Sequence, residues 1–253
     1  MKPPGLRTDE AAIRGTFFKT AYCSVALEIL DDVIAGPHPC RTIVRSQPIP
    51  PELFQLPEPW VGHIETAPLL FVSSNPSIGD DKHATRSSSS EQVWDSHVNL
   101  FDPRAGYTKD GIYTVLSNGA RNSRWVPHWA FVRSQASSLL SRPAVPGIDY
   151  ALTEVVHCKS RSEIGVSECA TFCADQHFRR ILGASGCRLI IAMGEHAKRE
   201  LRRVFALSDR SIYERLSNHR RIVFVPHSNY RGSRKIDVVL SDVIADVRRF
   251  LSS

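Results

Sequence analysis

The chain has 253 residues, 42% of them hydrophobic and 23% charged, and carries a formal net charge of +6; this is a globular composition, long enough to bury a sizeable core. No run of about 18 apolar residues occurs, which excludes a helical membrane span, and the polar opening Met1–Arg14 lacks the apolar segment of a secretory signal. A cytoplasmic protein with reduced cysteines is therefore expected, and the basic balance favours an anionic partner.

In chain order, residues 1–65 read as an N-terminal helical extension followed by a proline-rich linker. A helix is expected from about Glu10 to Ala35, stopping before Gly36-Pro37, and Pro48, Pro50, Pro51, Pro57 and Pro59 then mark extended chain. Residues 66–253 read as the main domain, in which strands and helices alternate. The strands are expected at 68–73, 151–157, 188–193 and 221–226, all continuous apolar runs of the kind covered on both faces. The helices are expected at 128–141, 167–183, 195–206 and 236–251, the last with Ile236, Val239, Leu240, Val243, Val247 and Phe250 on one stripe. This alternation predicts an α/β fold, three-layer αβα with a central four-stranded parallel sheet. Asp80 to Pro127 interrupts it as a long insertion with scattered aromatics and the serine run 87–90.

Two segments read as opposite walls of one pocket. Leu69-Leu70-Phe71-Val72 breaks into Ser73-Ser74-Asn75-Pro76, and Ile222-Val223-Phe224-Val225 breaks into Pro226-His227-Ser228-Asn229-Tyr230-Arg231-Gly232. In parallel α/β folds ligands sit at the carboxyl ends of strands, where both breaks fall.

Four segments together resemble the uracil-DNA glycosylase superfamily. Ser74-Asn75-Pro76 resembles its first motif, Gly-x-Asn/Asp-Pro, and Thr153-Glu154-Val155-Val156-His157-Cys158-Lys159 resembles the Thr-Asn-Val-Val-Lys-Cys-Arg strand of its iron–sulfur branch. Leu189 to Gly194 resembles its third strand, and Pro226-His227-Ser228 stands where that family has His-Pro-Ser or His-Pro-Ala, with the first two residues inverted. The resemblance runs from about Leu69 to Arg234. It implies a glycosylase-like catalytic domain that cleaves the bond between a flipped-out base and C1′ of deoxyribose.

The chemistry assigns roles to these residues. The amide of Asn75 orients a water below C1′, and a neutral His227 donates to the departing base, whose negative charge grows in the transition state. Glu154 stands where the family carries the Asn that reads the uracil edge. An ionised carboxylate only accepts hydrogen bonds, so it suits the N4 amino group of cytosine. Unmodified cytosine is ruled out by its abundance in DNA, which points to a C5-modified cytosine, such as the glucosylated hydroxymethylcytosine of phage DNA, and to defence against phage. Ser74, Trp94 and Phe101 are candidate base contacts, with the serine-rich loop leaving room beside C5. Ser228, Tyr230, Arg231, Ser233, Arg234, Lys235 and Lys159 are candidate DNA contacts, Tyr230 or Arg231 as the wedge that replaces the flipped base. The reaction itself requires no cofactor. Cys158 and Cys173 nevertheless resemble ligands of the family's structural 4Fe–4S cluster, with Cys40 and Cys23 completing a candidate set and Cys169 and Cys187 read as packing. The expected partner is DNA carrying a modified or damaged base, bound by a monomer. Two other readings stay open: a uracil-DNA glycosylase of base-excision repair, and a non-catalytic nucleic-acid-binding module on the same fold.

Overall fold

The computed structural model describes residues 10–47, 50–78, 84–116, 118–208, 211–216, 219–233 and 235–253. The chain begins with helices α1 (Glu10–Ala21), α2 (Ser24–Leu30) and α3 (Arg41–Arg45), then enters strand β1 (Leu69–Ser73). The insertion that follows holds α4 (Ser90–Val98) and a small hairpin of β2 (Thr108–Lys109) and β3 (Tyr113–Thr114). Helix α5 (Pro127–Leu140) leads to β4 (Tyr150–Glu154). A long helical segment comes next, α6 (Val166–Cys173) and α7 (Arg179–Ala184) joined by a π-turn over Ala174–Phe178. The chain closes with β5 (Leu189–Met193), α8 (Glu195–Phe205), β6 (Tyr213–Arg215), β7 (Arg221–Val225), α9 (Ile236–Val239) and α10 (Ile244–Ser252).

The main sheet has five strands in the order β4-β1-β5-β7-β6. The four apolar runs pair in parallel, as their double-sided burial requires. The fifth, β6, is an antiparallel edge strand against β7; at three residues with Glu214 and Arg215 in it, the segment has no apolar run to announce it. Side chains alternate across the sheet. Leu70, Val72, Ile190, Ala192, Ile222 and Phe224 face one apolar cluster, with residues of α1, α2, α6, α7 and α8. Leu69, Phe71, Leu189, Ile191, Val223 and Val225 face the other, with residues of α5, α9 and α10. Helices thus cover both faces of a mostly parallel sheet. Among the described residues, no helix is long and apolar enough to cross a membrane.

Three expected elements differ. The helix expected from Glu10 to Ala35 is two, broken at Cys23, whose backbone turns extended (φ −53°, ψ 113°). The helix expected over 236–251 is interrupted between Val239 and Ile244. There the Ser241 hydroxyl bonds the Asp242 carboxylate, and short polar side chains of this kind favour turns over helix continuation. The serine run, expected as an open loop, is a helix start: Ser89 caps α4 in a capping box with Gln92, a motif that satisfies two otherwise orphaned backbone donors. Ser87 bonds the carbonyl of Glu52, which ties the run down rather than leaving it as a pocket wall.

The N-terminal helices share the first cluster with the sheet. Phe17 is fully buried, with its ring 5.0 Å from Trp60 and 4.9 Å from Trp94, both edge-on. Truncating such a side chain leaves a cavity that packed neighbours cannot fill. Phe17→Ala is expected to lower the unfolding free energy by about 3–5 kcal/mol, measured by chemical denaturation in one cooperative transition; a loss near zero would show that α1 folds apart from the sheet.

Candidate active site at the carboxyl edge of the sheet

Parallel pairing of β1 and β4 continues past the strand ends. Val155 N–H donates to Ser73 O at 3.0 Å, Val156 N–H to Ser74 O at 3.0 Å, and Ser160 N–H to Pro76 O at 3.2 Å. The two loops therefore leave the sheet side by side, and Asn75 is held between them. Its Nδ2 donates to Pro76 O at 2.9 Å and to Ser160 Oγ at 3.0 Å. With both amide hydrogens engaged, Oδ1 is the end left to accept.

On β7, two strands away, Gly194 shapes the approach of His227. Its φ is +84°, and a Cβ there would stand 3.1 Å from the His227 Cβ, so both backbone and space call for glycine. Asn229 N–H donates to His227 Nδ1 at 3.3 Å, which makes Nδ1 the acceptor and leaves the ring proton on Nε2. Burial lowers the pKa of this imidazole, against an opposite pull from Glu163, and so favours the neutral form. The ring stacks on His128, with centroids 5.8 Å apart and planes 22° apart. His128 is pushed down to about 4 by burial and then by His227; its Nδ1 lies 3.1 Å from Ser228 Oγ. Glu163 also accepts from the Ser74 hydroxyl, so one carboxylate links the loop after β1 to the imidazole after β7.

The third wall is Glu154. In register with Ser73, it is only 6% exposed and takes a long contact of 3.5 Å from Ser73 Oγ. Its second oxygen, Oε2, is buried with no hydrogen-bond partner among the described residues. Beside it lies an ion pair, Lys159 Nζ to Glu58 Oε2 at 2.8 Å. Burial holds the Glu154 carboxyl well above the usual carboxylate range; Glu58 pushes the same way, while Lys159 and Ser73 oppose. A buried His97 stands 3.9 Å from Glu58, its own pKa lowered mainly by desolvation.

The other expected site residues separate by burial. Lys159 is 2% exposed and engaged by Glu58, so it is no phosphate contact: a buried ammonium needs its partner more than a surface one does. Ser228 is buried, with its hydroxyl 3.1 Å from His128 Nδ1. Ser74 likewise spends its hydroxyl on Glu163. Trp94 packs on Phe17 and Phe18 with the Arg14 guanidinium 4.8 Å over its ring. Phe101 is buried against Trp129 and Tyr150, the latter at the amino end of β4. Both aromatics thus belong to packing, not to the base pocket. Tyr230 is 55% exposed; Arg231, Ser233 and Lys235 are exposed beside it, and Arg234 lies outside the described residues.

The sequence reading did not single out His128, Glu58 or Glu163. Only the first had a local signal: Pro127 opens α5, a preferred first helical position, which places His128 on the turn facing the sheet edge. An aromatic and basic surface also leads into that helix. Trp125 is 57% exposed, edge-on to Tyr113 at 6.5 Å, and the Arg121 guanidinium lies 4.3 Å over the Tyr113 ring.

A second constellation lies on the other side of β4. Cys23, Cys40, Cys158, Cys169 and Cys173 line one apolar cavity with His157 and His177. Cys40 and Cys169 approach to 2.7 Å between sulfurs, so Cys169, read from sequence as packing, belongs to this group; Cys187 bonds Ser185 instead. All are free thiols. Burial pushes Cys23 up to about 11 and Cys158 above its usual value, as expected for thiols without a cation. Among the described residues, no three His, Cys, Asp or Glu side chains are arranged around a single metal ion. The donor chemistry of the converging cysteines fits an iron–sulfur cluster, which Cys23, Cys40, Cys158 and Cys173 would hold; it would tie α2, α3, α6 and the loop after β4 together.

Compared with known proteins, the chain matches no family model, and no curated protein gives a significant match.

The depressed His128 makes a stability prediction. Its folded value of about 4 lies below the ordinary 6.5, so the unfolded chain takes up a proton that the folded chain excludes. The contribution is complete above pH 6.5 and is lost as pH falls from there to about 4, at up to ~1.4 kcal/mol per pH unit. Denaturation at several pH values is expected to show this slope reduced by that amount in His128→Gln; an unchanged slope would place the proton elsewhere.

Proposed function

We propose that the chain is a monofunctional DNA glycosylase of the uracil-DNA glycosylase type, hydrolysing the N-glycosidic bond of a flipped-out, non-canonical pyrimidine. One observation carries this reading: the carboxyl edge of the sheet holds an amide whose hydrogens are engaged and whose Oδ1 is left to accept, a neutral imidazole with a proton on Nε2, and a buried carboxyl with an oxygen that meets no partner among the described residues. A polar set of this kind matches what cleavage of a base from its sugar requires.

In the reaction, the C1′–N1 bond breaks with its electron pair leaving on the base, and the sugar gains oxocarbenium character. Asn75 Oδ1 accepts a hydrogen bond from the water that adds at C1′, fixing its position without acting as a strong base. His227 Nε2–H donates to the base oxygen, a contact that strengthens as negative charge grows there. A neutral donor suits this role, since it keeps the base anion from being over-stabilised before the bond breaks. The proton released by the water restores a neutral base, leaving an abasic sugar and a free pyrimidine. Glu154 faces the base edge; the substrate we favour is a C5-modified cytosine, and defence against phage whose DNA carries such a base is the context we infer. Tyr230 and Arg231 supply the exposed wedge, and Trp125 with Arg121 a stacking and phosphate surface for the flanking strand. No lysine takes the part of a Schiff-base nucleophile in this scheme, because Lys159 is tied to Glu58.

Asn75→Ala and His227→Ala are each expected to slow excision roughly 10²–10³-fold with DNA affinity within a few-fold of the parent. Oligonucleotides bearing uracil or a glucosylated hydroxymethylcytosine, treated with alkali to cut abasic sites, provide the assay. A parent protein that binds these duplexes and releases neither base would make it a binding module.

A further inference from the structure

Among the described residues, two carboxyl groups and one ammonium are enclosed together beside the end of β4. Glu58 and Lys159 are in contact at 2.8 Å, with side-chain exposures of 18% and 2%. Glu154 adds a second carboxyl that is 6% exposed, and its Oε2 meets no partner among the described residues. One positive charge compensates one negative charge; a second, uncompensated carboxylate in such a place is expensive. The carboxyl in contact with the ammonium is the one that ionises, and the other keeps its proton. The long Ser73 contact, 3.5 Å, is too weak to stabilise a carboxylate at Glu154 by itself. His97, which also faces Glu58, adds no compensating charge in its neutral form.

We propose that Glu154 works as a neutral carboxylic acid that meets the Watson–Crick edge of the flipped pyrimidine with one donor and one acceptor, and that the Glu58–Lys159 pair is the positioning element that leaves the proton on it. The proposal rests on the glycosylase reading above and states how that site meets the base edge. A protonated acid carries an O–H donor next to an acceptor oxygen. Facing uracil, the O–H donates to O4 and the carbonyl oxygen accepts from N3–H. Facing a cytosine-type base, the carbonyl oxygen accepts from the N4 amino group and the O–H donates to N3. A carboxylate would keep only the acceptor half of either pair, and its second oxygen would face a lone pair. The site therefore takes both edges, and discrimination among pyrimidines falls to the groups around C5. The acceptor-only argument that favoured cytosine from the sequence is thereby replaced by a paired contact open to uracil as well.

The test combines infrared difference spectroscopy with excision of uracil and of glucosylated hydroxymethylcytosine from oligonucleotides. At neutral pH, Glu154→Gln is expected to remove a carboxylic-acid C=O band present in the parent. Glu58→Gln is expected to remove the same band, because Lys159 then draws Glu154 into its ionised form. Glu154→Ala is expected to slow excision of both bases roughly 10–10²-fold, Glu154→Gln to recover most of that loss, and Glu58→Gln to be rescued by the double change Glu58→Gln/Glu154→Gln. If the parent shows carboxylate bands alone at this position, or if Glu154→Gln is no better than Glu154→Ala, the proposal is overturned. An acid band in a protein that excises neither base overturns the glycosylase reading instead, so the two failures are told apart.

Discussion

The site depends on parallel pairing that does not stop where the strands stop. Backbone bonds from Val155 to Ser73, Val156 to Ser74 and Ser160 to Pro76 carry the loops after β1 and β4 forward as a pair. Without them Asn75 would be one residue of a turn free to rotate its amide. With them the amide hydrogens are committed, and the accepting end has a fixed direction. The same pairing puts Ser73 opposite Glu154, because register in a parallel ladder decides which side chains share a face. The remaining wall is set by a different device, the close approach of Gly194 to His227 at a backbone φ of +84°, a conformation that side chains other than glycine rarely adopt.

A common electrostatic theme runs through the groups at this edge: burial favours the neutral forms. His128 and His227 are shifted down by desolvation, and Glu154 is shifted up for the same reason. The ionised pair Glu58–Lys159 is the exception, and its charges compensate one another. On the reading proposed above, neutral donors and acceptors at this edge would hold a base by directed hydrogen bonds rather than by net charge, and charge would develop only in the reaction. Positive side chains remain at the surface, where Arg121, Arg231 and Lys235 are exposed.

The N-terminal segment takes part in both constellations. Glu58 comes from the proline-rich stretch before β1, and its backbone N–H donates to the His157 carbonyl at 2.8 Å. Cys23 and Cys40 come from the chain between α1 and α3 and meet Cys158, Cys169 and Cys173 on the far side of β4. The break at Cys23 that interrupts the expected long helix is what turns this thiol toward the others. The π-turn between α6 and α7, a distortion common at functional sites, carries His177 to within 3.3 Å of the same sulfur.

The sequence by itself determined the layered class, because four short apolar runs with no polar face can be buried only as the inner strands of a sheet covered on both sides, and helical stripes supply the cover. It also located the two loops that carry Asn75 and His227, since an Asn-Pro and a Pro-His-Ser break at a strand end are local events. It did not reveal β6, whose three residues take their conformation from the neighbouring β7, nor the fate of Trp94, Phe101 and Lys159, whose exposure depends on what packs over them. It did not link Glu58 to Glu154, which lie 96 residues apart. Such partnerships arise from the register of β1 with β4 and from the path of the N-terminal chain across the sheet. Burial and charge compensation are properties of that assembled geometry, and only the tertiary structure decides them.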